Sequence, residues 1–417
     1  MPVAYLPRIA DRELEERLDY IGAVLIEGPR ACGKTRTATQ HARTVFRFDE
    51  DATARSFVQL APERLFDNPT PILFDEWQLE PAIWNRVRRQ VDDRDGRGLF
   101  ILTGSATPSD DASRHSGAGR FSILPMRPMS LFESGHSNGE MSLTTLLDGA
   151  RQTGVGTHLT FDELVRRIVI GGWPELIDVD ERHARRWLRD YLTNIVEVDI
   201  QQLGSRRDPA NLRRLLASLG RSVAQSTKAS ELAKDVGGAD GPIAKETIAA
   251  YLTALDRLHL IDNSEAWLPH MRSRARLRVA PVRYFVDPSL GPATLGVGTK
   301  ELTSDLNALG LHFEALVIRD LRVYGQSLDA RIDSWRDSNG NEVDAVVTVG
   351  PHKWGAFEVK LRPDSVDDAA AALLRFRAAV DTSRHGEPTC LGVITSTGAG
   401  GLRDDGVHVI PIGCLGP

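Results

Sequence analysis

Short, mainly apolar runs alternate with amphipathic stretches over the first hundred residues. IGAVLIEG (Ile21 to Gly28), TVFRFDE around Val45, PILFDE around Leu73 and GLFILTGS (Gly98 to Ser105) read as strands. Helices are predicted from Lys34, over Ala52 to Leu60, and around Trp84 and Val87. Strands that alternate with helices imply a parallel sheet covered on both faces.

From Thr160 to Leu203 the period becomes helical, and Gly171-Gly172 with Pro174 divides it into two helices, read as a small all-α lid. Three further helical patterns follow between Asn211 and Trp267, with the glycine-bearing turn GGADGPIA between the last two. That order suits a helix-turn-helix with a wing. The last hundred residues read α-β-β-β-α-β: a helix from Leu306 to Val323, two strands joined at Asn339-Gly340, the strand WGAFEVKL, the helix DSVDDAAAALLRFRAAV and the strand CLGVITST. The expected domains are 1–135 (nucleotide domain), 136–205 (lid), 206–280 (winged helix), 281–305 (linker) and 306–417.

Composition narrows the field. The chain has 417 residues, 41% hydrophobic and 26% charged, enough for two or three ordinary cores. No run reaches the ~20 apolar residues of a membrane span, and the N-terminus lacks a secretory pattern, so a cytoplasmic protein with no membrane partner is expected. Cys32, Cys390 and Cys414 are too far apart in sequence for a disulfide framework or thiolate zinc site, which leaves oxygen ligands for any metal. The net charge is -6, yet Arg206 to Arg278 holds 13 Lys and Arg against 8 Asp and Glu. That middle segment is suited to phosphate.

The sharpest signal is GPRACGKT: Gly28, Pro29, Arg30, Ala31, Cys32, Gly33, Lys34 and Thr35. It matches G-x-x-x-x-G-K-[ST] directly after a strand and before a helix, the context a phosphate loop needs. Backbone amides and a helix N-terminus cradle phosphate oxygens, Lys34 reaches the β and γ phosphates, and Thr35 holds magnesium. Asp75 can orient the magnesium shell and Glu76 polarise water. Thr103 and Ser105 end the next strand where a γ-phosphate would lie. ATP and Mg2+ are the expected cofactors.

These features resemble the prokaryotic AAA-type P-loop ATPases that carry Gly-Pro-Arg-x-x-Gly-Lys-Thr and a Leu-Thr-Gly-Ser strand. The resemblance extends through Gly119-Arg120, LPMRPMSLFE and Gly171 to Glu175, and implies a winged-helix segment and an endonuclease-like C-terminal domain. It also implies a homo-oligomer in which an arginine, Arg120 or Arg114, completes a neighbour's site.

A second constellation lies near the C-terminus. Glu314 falls on the first helix, Asp344 on the second strand, and Glu358 and Lys360, two apart, on one face of the third. Carboxylates can hold Mg2+ or Mn2+ while an ammonium group stabilises developing charge, which is phosphodiester hydrolysis chemistry. The set resembles the PD-(D/E)xK nucleases, with Asp344 and Glu358 as metal ligands, although Val343 stands where that motif has proline. Lysine is scarce, seven residues against forty-four arginines, and two of the seven are Lys34 and Lys360. In the middle segment Lys245, Glu246 and Thr247 open the helix that would read base edges, with Arg272, Arg274, Arg276 and Arg278 near phosphates.

The expectation is therefore an α/β P-loop ATPase with helical lid, winged-helix segment and endonuclease-like domain, acting on DNA. The rivals are a nucleotide-dependent switch with a silent C-terminal domain and an ATP-gated DNA-binding regulator.

Overall fold

The computed structural model describes residues 4–104, 116–203, 207–268, 280–337 and 340–417. The chain forms two compact units. The first comprises Met1–Pro128, Asp199–Arg206 and Ala254–Leu260, and the second Met129–Val198, Arg207–Thr253 and Ile261–Pro417.

In the first unit, strands β1 (Ala23–Glu27), β2 (Thr44–Arg47), β3 (Ile72–Asp75), β4 (Phe100–Gly104) and β5 (Phe121–Pro125) form one parallel sheet in the order β2-β3-β4-β1-β5. Successive strand residues point to opposite faces, and both faces are covered. Leu25, Phe74, Phe100 and Leu102 join Val58, Trp84 and Val87 from the helices Ala52–Leu60 and Ala82–Arg94. Val24, Ile26, Leu73 and Ile101 join Leu14 and Ala38 from the helices Ile9–Tyr20 and Lys34–His41. This is why residues 23–26, 72–74 and 100–102 carry no polar residue on either phase.

In the second unit, β6 (Met141–Ser142) and β7 (Thr153–Gly156) come first. The helices Phe161–Ile170, Glu181–Asn194, Pro209–Arg221, Ala229–Gly237 and Lys245–Arg257 follow, the last running on into the first unit. Gln225–Ser226 (β8) pairs antiparallel with Val282–Arg283 (β9). Next come the helix Leu306–Gln326 and strands β10 (Arg331–Arg336), β11 (Glu342–Val349) and β12 (Lys353–Lys360), then the helix Val366–Ala379 and β13 (Cys390–Thr395). Strands β14 (Ala399–Leu402), β15 (His408–Pro411) and β16 (Leu415–Gly416) complete it. The large sheet is mixed, in the order β10-β11-β12-β13-β15-β14-β7.

Two segments differ from expectation. Residues 136–156 do not open a helical lid: β7 pairs with β14, and β6 pairs with β16. Partners that far apart leave no local trace. The segment 281–305 is no linker either, because it forms β9 and the helices Leu290–Leu295 and Thr299–Ser304, with Leu290 and Leu302 buried. Its short helices lack the repeated turns that make periodicity visible.

Candidate functional site

The phosphate loop leaves the C-terminal end of β1. Gly28 has no room for a side chain, since a Cβ would lie 2.1 Å from the Met126 carbonyl oxygen. Ala31 (φ 62°) and Gly33 (φ 105°) are left-handed, and Gly33 caps the helix Lys34–His41. Left-handed turns leading into a helix N-terminus draw amide groups into an anion-binding concavity. Lys34 is buried, and its ammonium donates to the carbonyls of Gly28 and Pro29, each at 2.8 Å. Thr35 Oγ1 donates to Asp75 Oδ1 at 2.8 Å, and the Thr103 hydroxyl donates to the same oxygen. Glu76 sits in a left-handed conformation and accepts from the Gln78 amide. These groups fit a magnesium-bound nucleoside triphosphate: Lys34 would hold the β and γ phosphates, and Thr35 with Asp75 the magnesium shell.

Two supports of the loop escaped the sequence reading. Arg8 is buried and donates to the Cys32 carbonyl at 2.9 Å and the Arg127 carbonyl at 2.7 Å. Asp199 pairs with Arg30 of the loop at 2.9 Å. Burial raises the Asp199 carboxyl above its usual range, although Arg30 pulls it down. No local pattern marks either residue, because each acts on a loop distant in sequence.

Arg120 lies away from its own chain's phosphate loop. It precedes β5, and its carbonyl accepts from Ala23 at the start of β1. It therefore lies at the N-terminal edge of a parallel sheet whose opposite edge carries the loop, about 16 Å away at roughly 3.3 Å per residue. Its guanidinium pairs with Asp92 at 2.7 Å. Arg120 therefore does not reach this chain's own nucleotide site, and the role expected of it is at the site of a neighbouring copy. Ser105 and Arg114 lie outside the described residues, as do Arg272, Arg274, Arg276 and Arg278.

The C-terminal residues do come together. Lys360 Nζ lies 2.6 Å from Glu358 Oε2 and 3.8 Å from Asp344 Oδ2. Asp344 Oδ2 also accepts from the Val359 amide at 2.7 Å. Glu314 accepts from the Tyr284 hydroxyl at 2.5 Å. Glu358 is 4% exposed, and among the described residues its Oε1 has no hydrogen-bond partner. Burial, reinforced by Asp344, pushes its carboxyl up to about 8, with Lys360 acting against the rise. Burial and then Asp344 likewise raise Glu314. Glu358 and Lys360 line a cleft of about 310 Å³ together with Trp335, Glu342 and Arg375. The orphaned Glu358 oxygen fits a cation ligand. Among the described residues, however, no three His, Cys, Asp or Glu side chains are grouped to hold a metal ion.

The Gly171 to Glu175 element and LPMRPMSLFE meet in a buried charge network. Arg319 pairs with Asp287 at 2.9 Å and Asp320 at 2.6 Å, all three inaccessible or nearly so. Asp287 Oδ2 also accepts from the Gly172 amide at 3.0 Å, and Asp320 Oδ2 from the Leu131 amide at 3.1 Å. Trp173 Nε1 donates to Ser289 Oγ at 3.0 Å. At Gly171 (φ 82°) a Cβ would sit 2.2 Å from Asp287 Oδ1, and at Gly172 one would sit 1.9 Å from the Met129 carbonyl oxygen. The element is thus a packing junction: its glycines admit the aspartate and the backbone at Met129, and buried charges are tolerated when paired.

Comparison with known proteins matches three segments of the chain. An AAA domain family model matches residues 21–134, a domain of unknown function, DUF8612, matches 161–301, and another, DUF4143, matches 309–415. The DUF8612 match takes in the helices on either side of residue 205, where sequence reading had drawn a boundary. The uncharacterized proteins Rv2008c of Mycobacterium tuberculosis and Mb2031c of Mycobacterium bovis are each 23% identical over 385 residues, covering 86% of this chain and 79% of theirs. Among solved structures, the Walker-type ATPase PABY2304 of Pyrococcus abyssi is 14% identical, covers 69% of this chain and 94% of its own, and has a TM-score of 0.39. A RuvB variant of Thermotoga maritima is 17% identical over 61% of this chain and 88% of its own, with a TM-score of 0.28. With its parallel sheet, its glycine-capped loop and the Thr35–Asp75 pair, the segment 21–134 is an AAA-type P-loop ATPase domain.

Proposed function

We propose that this ATPase uses nucleotide binding and hydrolysis to drive action on DNA, with the Asp344, Glu358 and Lys360 set as a divalent-metal-dependent phosphodiester-cleaving site. The observation that carries the proposal is the buried Glu358 oxygen without a partner, next to Asp344 and Lys360 and opening on a cleft. Asp344 and Glu358 would hold Mg2+ or Mn2+, which supplies an activated water, and Lys360 would neutralise the developing phosphorane charge. Glu314 would stand beside that pair, its carboxyl held by Tyr284 rather than by the ion. At the phosphate loop, Glu76 would orient the attacking water, and an arginine of a second copy, with Arg114 and Arg120 as the candidates, would complete the site in a homo-oligomer.

The helices around Lys245 and the β8–β9 pair support a winged-helix reading, with Lys245 and Glu246 exposed at the start of their helix. Incubation of supercoiled plasmid with the protein and Mg2+ or Mn2+ tests the reading. Nicking by the wild type that is lost in Asp344→Ala and Lys360→Ala is the expected result. Intact plasmid with an active ATPase would instead favour a switch whose C-terminal domain is silent.

A further inference from the structure

We infer that an arginine-lined groove on the second unit, formed by the helix Glu181–Asn194 and the turn after the helix Leu290–Leu295, is a docking surface for the DNA backbone. Arg182, Arg185, Arg186 and Arg189 recur at spacings of three, one and three, which places all four on one face of the helix. They line a groove of about 480 Å³ with Ala293, Gly296 and Val297. Glu181 is the one acid lining it; it accepts from the Thr299 amide at 3.0 Å and hydroxyl at 2.7 Å and pairs with Arg185 at 3.9 Å. Three arginines, Arg182, Arg186 and Arg189, are exposed. Among the described residues Arg182 and Arg186 have no acidic partner, while Arg189 lies 3.7 Å from its exposed neighbour Asp190.

Arg185 is held in place, donating to the Gly296 carbonyl at 2.8 Å. Gly298 permits that approach, since a Cβ there would lie 2.5 Å from Arg185 Nη1. Arg189 and Ala293 also line an adjoining cavity of about 190 Å³ with Thr193 and Arg213, the last paired with Glu197.

Four guanidinium groups strung along a helix, rather than converging on one point, suit a linear polyanion. The run from Arg182 to Arg189 spans about 10 Å, the axial rise of about three phosphates of one DNA strand. Guanidinium groups bind phosphate in a bidentate fashion and carry no base preference by this route, so the groove would supply affinity and register rather than sequence choice. The inference rests on DNA as the partner and does not require cleavage.

The test is fluorescence anisotropy with a labelled duplex of about 20 base pairs, titrated from about 50 to 200 mM salt. The full chain is compared with an Arg182→Ala, Arg186→Ala, Arg189→Ala triple variant. Losing three phosphate contacts should lower the slope of log affinity against log salt by about 2 to 3, and weaken binding at least about tenfold at low salt. A triple lysine variant should keep most of the slope, and calorimetric binding of ATP should be the same in all three proteins, since the substitutions are on an exposed helix face. An unchanged slope and affinity in the alanine variant would remove the groove while leaving DNA as partner. No binding of duplex by the wild type would remove both, including the case where it binds phosphatidylserine vesicles instead.

Discussion

Asp199 closes on Arg30 at 2.9 Å, so a buried carboxylate from far along the chain clamps the variable part of the phosphate loop. A negative charge there also opposes a triphosphate. Asp199→Asn should therefore tighten ATP binding by about threefold or more at low salt, with the gain shrinking as salt screens the charge. Isothermal calorimetry at two ionic strengths measures this directly.

Lys34 donates to two carbonyls of its own loop, which holds its ammonium group inside the phosphate cradle. Lys34→Ala should reduce phosphate release by about 100-fold or more, as loss of a charge-stabilising donor does in other enzymes. A variant that hydrolyses ATP at the wild-type rate would end the assignment of this loop as the catalytic centre.

Asp75 takes two hydroxyl donors on one oxygen. Thr103→Val keeps the shape but removes one of them, leaving a buried carboxylate short of a partner at a cost of about 1 to 3 kcal/mol. Thr103→Ser should restore most of that loss. Urea denaturation of the three proteins gives the ranking.

Glu358 has its carboxyl raised to about 8 from 4.5. Between those values the folded state keeps a proton that the unfolded chain releases, so this group's contribution to stability falls as pH rises through that window. Glu358→Gln cannot ionise and should be more stable than the wild type at pH 9, with the difference closing towards pH 4. Thermal melts across that range decide it. If Asp344 and Glu358 hold a divalent cation, Mn2+ should raise the melting temperature of the wild type at high pH and leave Glu358→Gln unmoved.

Gly172→Ala would drive a Cβ to 1.9 Å from the Met129 carbonyl oxygen, and backbone cannot yield as a flexible side chain can. The expected cost is about 3 kcal/mol or more. A melting temperature within about 2 °C of wild type would show that the junction around Arg319 is more pliable than its burial implies.

The nucleotide site was legible because its chemistry is local. Gly28 to Thr35 are consecutive, and Asp75 ends a strand whose apolar run is easily seen. Glu358 and Lys360 were legible for a similar reason, since strand alternation alone places them on one face. Asp199 and Arg8 were not, because a buried ion or donor that supports a loop from afar has no periodicity of its own. The arginines at 182, 185, 186 and 189 were in plain view as ERHARRWLRD, but only the turn at Gly296 shows that they line a groove.

The pairing of β7 with β14 has a practical consequence for how the protein can be made and cut. Thr153–Gly156 leaves the ribosome long before Ala399–Leu402, so an edge of the large sheet waits through more than half of synthesis for its mate. A recombinant fragment beginning at residue 306 would lack that edge and would present β14 as an open strand, a template for aggregation. Excision of the C-terminal domain should begin upstream of Met141 instead, and carry the intervening helices with it.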